Sequence, residues 1–166
     1  MSQPEPSVRL RTMIADEFSV FLGAVEAGYA HDIEVHGGQT HDGAVAKAKA
    51  DMAIALPQGI DTPDHVFYIV EADRADVGRL WVAERPSGGR RVLFIFEVAI
   101  DPAWQGRGYG RAAMNLAEGV ARERGLSHIE LNVFGANDVA RHLYKSLGYV
   151  ETSVQMRKAL DSGEET

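Results

Sequence analysis

At 166 residues with a formal net charge of −7, the chain is sized for one domain that buries roughly two-thirds of its unfolded surface, and its acidity weighs against nucleic acid as the main partner. The absence of cysteine excludes disulfides, a zinc ribbon and a thiol nucleophile. With no apolar run of about 18 residues and no cleavable leader pattern, the expectation is a cytoplasmic protein without a membrane partner, a single domain over residues 1–166 with disordered tails at 1–6 and 161–166.

The elements follow in chain order. SVRLRTM, residues 7–13, alternates and predicts a first strand. ADEFSVFLGAVEAGYAHDIE predicts a helix with Phe18, Phe21, Leu22 and Val25 on one face. HGGQTHDG breaks it, and Thr40 or Asp42 caps a second helix over residues 43–56. Pro57 and Pro63 make residues 56–65 a loop. HVFYIVEA, ADVGRLWVAERP and RRVLFIFEVAI are rich in branched and aromatic residues and read as an antiparallel meander. A helix over residues 110–124 stops at Gly125. SHIELNVFG is then a strand, NDVARHLYKSLG a short helix capped by Asn137, and YVETSVQMRKAL a last strand. The order is β-α-α-β-β-β-α-β-α-β. It predicts an α/β fold with a mixed, mostly antiparallel sheet of six to seven strands and helices on both faces.

Between the third strand of the meander and the helix lies DPAWQGRGYGRAAM, residues 101–114. Glycine costs conformational entropy, so three in five positions mark a backbone that must approach something closely. A helix N-terminus offers unpaired N–H groups and the positive end of its dipole, which suits a phosphate. Arg107 and Arg111 add charge-assisted hydrogen-bond donors. The plainer alternative is a strand-to-helix turn with two exposed arginines. A P-loop is excluded, since Arg111 and Ala112 stand where Lys and Ser/Thr are needed. The dinucleotide fingerprint finds its pattern in Gly108, Gly110 and Ala113, with Glu130 beyond. It is rejected because residues 101–105 separate the strand from the glycines, hairpins precede them, and too little chain follows for a parallel sheet.

The third phosphate loop brings in a family. Gln105-Gly106-Arg107-Gly108-Tyr109-Gly110 matches Gln/Arg-x-x-Gly-x-Gly/Ala, and Asn137, Ala140, Leu143, Tyr144, Gly148 and Tyr149 match Asn-x-x-Ala-x-x-Leu-Tyr-x-x-x-Gly-Phe/Tyr. On these two motifs the chain resembles the GCN5-related N-acetyltransferases (GNAT) over residues 65–158. The LPQGIDTPDH segment, with GRLWV and FIFEV, resembles a bacterial subgroup of uncharacterised members.

The resemblance implies acetyl-CoA as cosubstrate and direct acetyl transfer to a primary amine of a small molecule, peptide or protein. It implies a slot between the fourth and fifth strands, which splay at a bulge. Backbone groups of Val98, Ala99 and Ile100 then pair with the pantetheine, and Gln105, Gly106, Arg107, Gly108, Tyr109, Gly110 and Arg111 hold the pyrophosphate. Asn137 touches the pantetheine arm or serves only as a helix cap. Tyr144 matches the family's acid, which protonates the departing thiolate; the alternative is a core aromatic beside Val139, Leu143 and Leu147. Glu97, the one charge within FIFEVAI, is the candidate base. It faces the slot, pairs with an arginine, or points to solvent. Many relatives carry their glutamate a few residues earlier, where this chain has Phe94. Acceptor selection falls to Tyr29, His31, Asp32, Glu34, His36, His41 and Asp42, whose scatter also suits an ordinary surface. No metal is expected, since the His31–His36 run has no strong ligand spacing, and Trp81 is assigned to the core. A non-catalytic acyl-CoA-binding module, another acyl group, and a homodimer through the last strand or a sheet edge remain open.

Overall fold

The three β-rich runs become the three longest strands of the computed structural model, which describes residues 7–156, 158 and 160. These residues divide into two units, within Met1–Asn132 and within Val133–Thr166. The first unit contains β1 (Val8–Thr12), α1 (Ala15–Gly37), α2 (His41–Ala55), β2 (His65–Ala72), β3 (Ala75–Ser87), β4 (Arg90–Ile100), α3 (Tyr109–Glu123) and β5 (Ile129–Leu131). The second contains α4 (Asp138–Ser146).

The sheet order is β1-β2-β3-β4-β5. Its first three pairings are antiparallel and the last, β4 with β5, is parallel. A parallel neighbour cannot be reached by a hairpin, and α3 supplies the crossover. Its buried Ala113, Met114, Ala117 and Ala121 share one face, and it packs against β4, β1 and β3. Small residues on that face let the helix approach closely. Residues 80–83 of β3 are buried one after another, which requires cover on both faces of the sheet.

The opposite cover is α1. Phe18 and Phe21 form one cluster with Met13, Leu56, Phe67 and Trp81, and Leu22 and Val25 pack against it. Phe18 meets Phe67 edge-on at 4.7 Å, and Phe21 meets Trp81 at 6.1 Å with rings nearly perpendicular. Trp81 is 1% exposed and belongs to the core, as the sequence indicates. Such rings favour these offset geometries beyond the area they bury. The start of α1 is fastened by charge. Arg11 of β1 donates to Glu17 and to Glu71 of β2, and Glu17 also accepts the Ile14 N–H. Those bonds, led by Arg11, hold the Glu17 carboxyl down at about 2. Their contribution is present above the ordinary carboxylate range and lost as pH falls towards that value.

Several boundaries move for physical reasons. The helix α1 runs past the expected end at 34 until Gly38, at φ 68°, stops it. Thr40, not Asp42, caps α2, accepting from the Gly43 N–H at 3.3 Å. At the end of α3, Gly125 sits at φ 69°, with Gly125 N–H bonded to Arg122 O and Leu126 N–H to Ala121 O; this is the Schellman closure.

The expectation of six to seven strands is corrected to five among the described residues. Residues 149–156, 158 and 160, within the expected last strand, carry no strand, and 157 and 159 lie outside the described residues, as do both expected tails. Val150, Val154, Met156 and Leu160 are exposed; the sequence supplies an alternating pattern there but no partner to make it a strand. Among the described residues, no helix is long and apolar enough to cross a membrane.

A half-buried histidine lies against the aromatic core. Trp81 Nε1–H donates to His65 Nδ1 at 2.9 Å, so the ring's proton sits on Nε2. Burial pushes His65 below its ordinary value. A lowered folded value means that the unfolded chain binds more protons as pH drops through about 6.5, so this site loses stability on acidification. His65→Gln keeps an acceptor for Trp81 without titrating. Urea unfolding at pH 8 and pH 5 is expected to show a larger acid loss in the wild type than in this variant, and parallel losses would remove His65 from the account.

Candidate functional site

The strand β4 has two halves. Leu93, Phe94 and Ile95 pair in parallel with Ile129, Glu130 and Leu131, and the pairing ends there. On its other edge β4 stays with β3 to the end, but Trp81 pairs with Glu97 while Val82 pairs with Ile95. Phe96 is left over. This is a β-bulge, which bends a strand and re-aims its side chains. From Phe96 onward, then, β4 pairs with β3 and with no second strand among the described residues, and Val98, Ala99 and Ile100 lie in this free half. The expected strand over residues 127–135 shrinks to Ile129–Leu131 for the same reason: its neighbour turns away.

What holds the free half in place is Gly78 of β3. It faces Ile100, and a Cβ at position 78 would lie 2.3 Å from Ala99 O and 2.8 Å from Ile100 Cδ1. The Asp101 N–H then donates to Val77 O at 2.9 Å, continuing the pairing past the strand's end.

The glycine loop follows directly. Residues 102–104 form one 3-10 turn, closed by Trp104 N–H to Asp101 O. The Gln105 side-chain amide donates to Ile100 O at 2.8 Å, tying the loop to the strand it leaves. Gly106 and Gly108 have φ values of 74° and 85°, which an L side chain rarely adopts. Gly108 caps α3, its carbonyl accepting from Ala112 N–H. The amides of Tyr109, Gly110 and Arg111 therefore fall in the helix's first turn, where no intrahelical acceptor exists. Tyr109 buries its ring against Trp104 at 5.9 Å, so only its backbone is available to a ligand. The Arg107 guanidinium sits 5.3 Å above the Trp104 ring, and both Arg107 and Arg111 are exposed.

Glu97 lies just past the bulge. Of the placements open to it from sequence, the structure shows the arginine pair: Arg79 Nη2 donates to Glu97 Oε1 at 3.2 Å, with both side chains 29% exposed.

Expected acceptor-selecting residues pair across the α1–α2 hairpin. Tyr29 donates to Asp51 at 3.0 Å, and His41 lies 3.0 Å from Glu34, whose hydrogen bond raises the His41 value. His31 and Asp42 are exposed and Asp32 half-buried along the same two helices.

In the second unit, Asn137 caps α4 by accepting the Ala140 N–H at 3.1 Å. The helix ends in another Schellman closure: Gly148, at φ 91°, donates to Lys145 O, and Tyr149 N–H to Tyr144 O. The Tyr144 and Tyr149 rings meet at 5.8 Å across this turn. Tyr144 and Leu143 are half-buried while Val139 is exposed. Gly78 and Arg79 lie in the GRLWV string, where the sequence offers no more signal than a glycine inside a strand.

A mixed sheet that splits at a bulge, with a glycine loop starting the next helix, is the architecture of a class of acyltransferases. The family model described as the acetyltransferase (GNAT) family matches residues 38–149. The chain is 30% identical to the uncharacterized N-acetyltransferase YycN of Bacillus subtilis (strain 168) over 155 residues, 93% of this chain and 99% of that one. The crystal structure of YycN superposes with a TM-score of 0.88 at 29% identity, covering 94% of this chain and 100% of YycN. An aminoglycoside N-acetyltransferase, AAC(6')-Iy, solved in complex with CoA, shares the fold at 14% identity and a TM-score of 0.58 over 96% of this chain and 99% of that one. The chain belongs to the GNAT acetyltransferase family, a family of acyltransferases that use acetyl-CoA.

Gly78 and Gly148 are expected to respond differently to alanine. Around Gly148 nothing lies within 4 Å of a new Cβ, so Gly148→Ala costs only its left-handed backbone, about 1 kcal/mol. At Gly78 the methyl group collides with backbone, and roughly 2–3 kcal/mol is expected. Urea unfolding of both variants checks the order, and equal losses would mean that β3 and β4 yield at this point.

Proposed function

We propose that the chain, as one N-acetyltransferase domain, moves an acetyl group directly from acetyl-CoA to a primary amine. The observation that carries this reading is the parting of β4 from β5 after Ile95, with the glycine loop at the end of the freed strand. An unpaired strand half recognises extended amide-bearing chains by strand addition, which suits pantetheine along Val98, Ala99 and Ile100. Left-handed glycines and first-turn amides suit a pyrophosphate at residues 105–111. The side chains of Arg107 and Arg111 supply charge; Gln105 contributes by tethering the loop, Tyr109 through its backbone.

Transfer forms an N–C bond and breaks the C–S bond. The attacking amine must be neutral, and Glu97 takes its proton; the Tyr144 hydroxyl gives a proton to the leaving sulfur. Asn137 keeps its capping bond while its amide nitrogen contacts the pantetheine arm. The acceptor classes to try are an aminoglycoside such as kanamycin, a polyamine such as spermidine, and a lysyl peptide.

Calorimetric titration with acetyl-CoA is the direct test, with CoA and NAD as comparators. Micromolar binding of acetyl-CoA without NAD binding is expected, and silence towards both CoA species would overturn the assignment. Gly108→Val is expected to weaken acetyl-CoA binding at least tenfold, because its φ of 85° excludes a branched side chain. Tyr144→Phe is expected to lower turnover by about 100-fold with affinity for acetyl-CoA nearly intact; unchanged turnover removes it as the acid.

A further inference from the structure

Arg79 lies in neither family motif, yet it is the group that touches the candidate base. In the β3–β4 register Arg79 stands opposite Ala99 and Glu97 opposite Trp81, so the two meet as a diagonal cross-strand pair. The pair spans the bulge's free side: Arg79 belongs to the continuous strand, Glu97 to the strand that β5 has released. The direct neighbours of Arg79 in the ladder are Ile69 and Ala99, whose side chains accept no hydrogen bond. Its Nε is buried and has no acceptor among the described residues, and the charged acceptor of its Nη2 is the Glu97 carboxylate.

Other charges on this side of the first unit are committed elsewhere. Arg11 of β1 pairs with both Glu71 of β2 and Glu17 of α1, with Asp76 of β3 at 3.6 Å from it. His65 of β2 donates nothing to Glu97; it holds Trp81 and lies 5.4 Å from the Phe96 ring. The electrostatic surroundings of Glu97 are thus dominated by a single cation at 3.2 Å.

We propose that Arg79 is a positioning residue for the transfer: its guanidinium fixes the Glu97 carboxylate on the free half of β4, where that carboxylate takes the amine's proton. This rests on the reading of Glu97 as the base. Once it accepts that proton, Arg79 is left without its counter-charge in a partly desolvated place. The proton is therefore driven on to solvent, and the carboxylate is restored for the next turnover.

The test asks whether Arg79 acts through Glu97. Steady-state kinetics of CoA release and calorimetric titration with acetyl-CoA are compared for wild type, Arg79→Gln, Arg79→Lys, Glu97→Gln and the Arg79→Gln/Glu97→Gln double variant, using whichever of kanamycin, spermidine and the lysyl peptide the wild type acetylates. Arg79→Gln is expected to lower kcat about tenfold with affinity for acetyl-CoA unchanged. Arg79→Lys keeps a cation beside Glu97, so it is expected to recover part of that loss, and it serves as the working variant if the glutamine protein does not fold. The double variant is expected to lose no more than Glu97→Gln alone. If both Arg79 variants keep the wild-type kcat while Glu97→Gln is impaired, the role of Arg79 is overturned and the base reading stands. If the two losses add in full, Arg79 acts apart from Glu97 and the proposal fails; if Glu97→Gln keeps the wild-type kcat, the base reading itself fails and takes the proposal with it.

Discussion

A strand interior to a sheet has two hydrogen-bonding edges, and β4 keeps both filled for only three residues. Beyond Ile95 one edge stays with β3 while the other is released. The rest of the first unit is arranged around that change. A single extra residue, Phe96, is accommodated on β4, and its ring stacks on Trp81 at 4.5 Å, so the bulge is backed by the aromatic core rather than left to fray. The crossover helix begins at the end of the released half and returns the chain to β5 on the same strand's far side. Gly78 then allows β3 to run close under Ala99 and Ile100, which keeps the released half straight. An open edge has been made from an interior strand without exposing a long unpaired border.

Much of this was legible in local pattern. Strands β2, β3 and β4 are long runs of branched and aromatic residues between turn residues, and their bounds were read nearly correctly. The end of α3 at Gly125 and the cap at Asn137 are chemical signals confined to a few positions, so they survive translation into three dimensions. The elements that failed are those defined by a partner. β5 is as long as its contact with β4 allows, and the run after Tyr149 has strand-like alternation with no strand beside it among the described residues. The site divides in the same way. The glycine loop was visible as composition. The Arg79–Glu97 pair was not, because it joins residues 18 apart through a diagonal that a bulge creates. Only the register, which no sequence period encodes, brings them together.

The acidic balance of the chain also takes on a more local meaning. Much of its charge is spent in pairs that fasten elements: Arg11 with Glu17 and Glu71 at the start of α1, His41 with Glu34 and Tyr29 with Asp51 between α1 and α2. The two helices expected to select an acceptor thus brace one another with several of the same residues. The exposed cations Arg107 and Arg111 belong to the loop, where a net acidic molecule keeps a positive doorway.

The helix α4 carries a different lesson. The spacing Leu-Tyr-x-x-x-Gly-Tyr is the spelling of a Schellman ending: Tyr144 lends its carbonyl, Gly148 takes the left-handed turn, and Tyr149 closes the ring contact. The string thus describes how a helix stops before it describes any proton transfer. The carbonyl of residue 144 and the N–H of residue 149 are backbone groups that any residue supplies, so the ending itself calls only for the glycine. When this string is matched from one sequence to another, Gly148 therefore counts as helix punctuation, and only the side chains at 143, 144 and 149 can speak for anything beyond it.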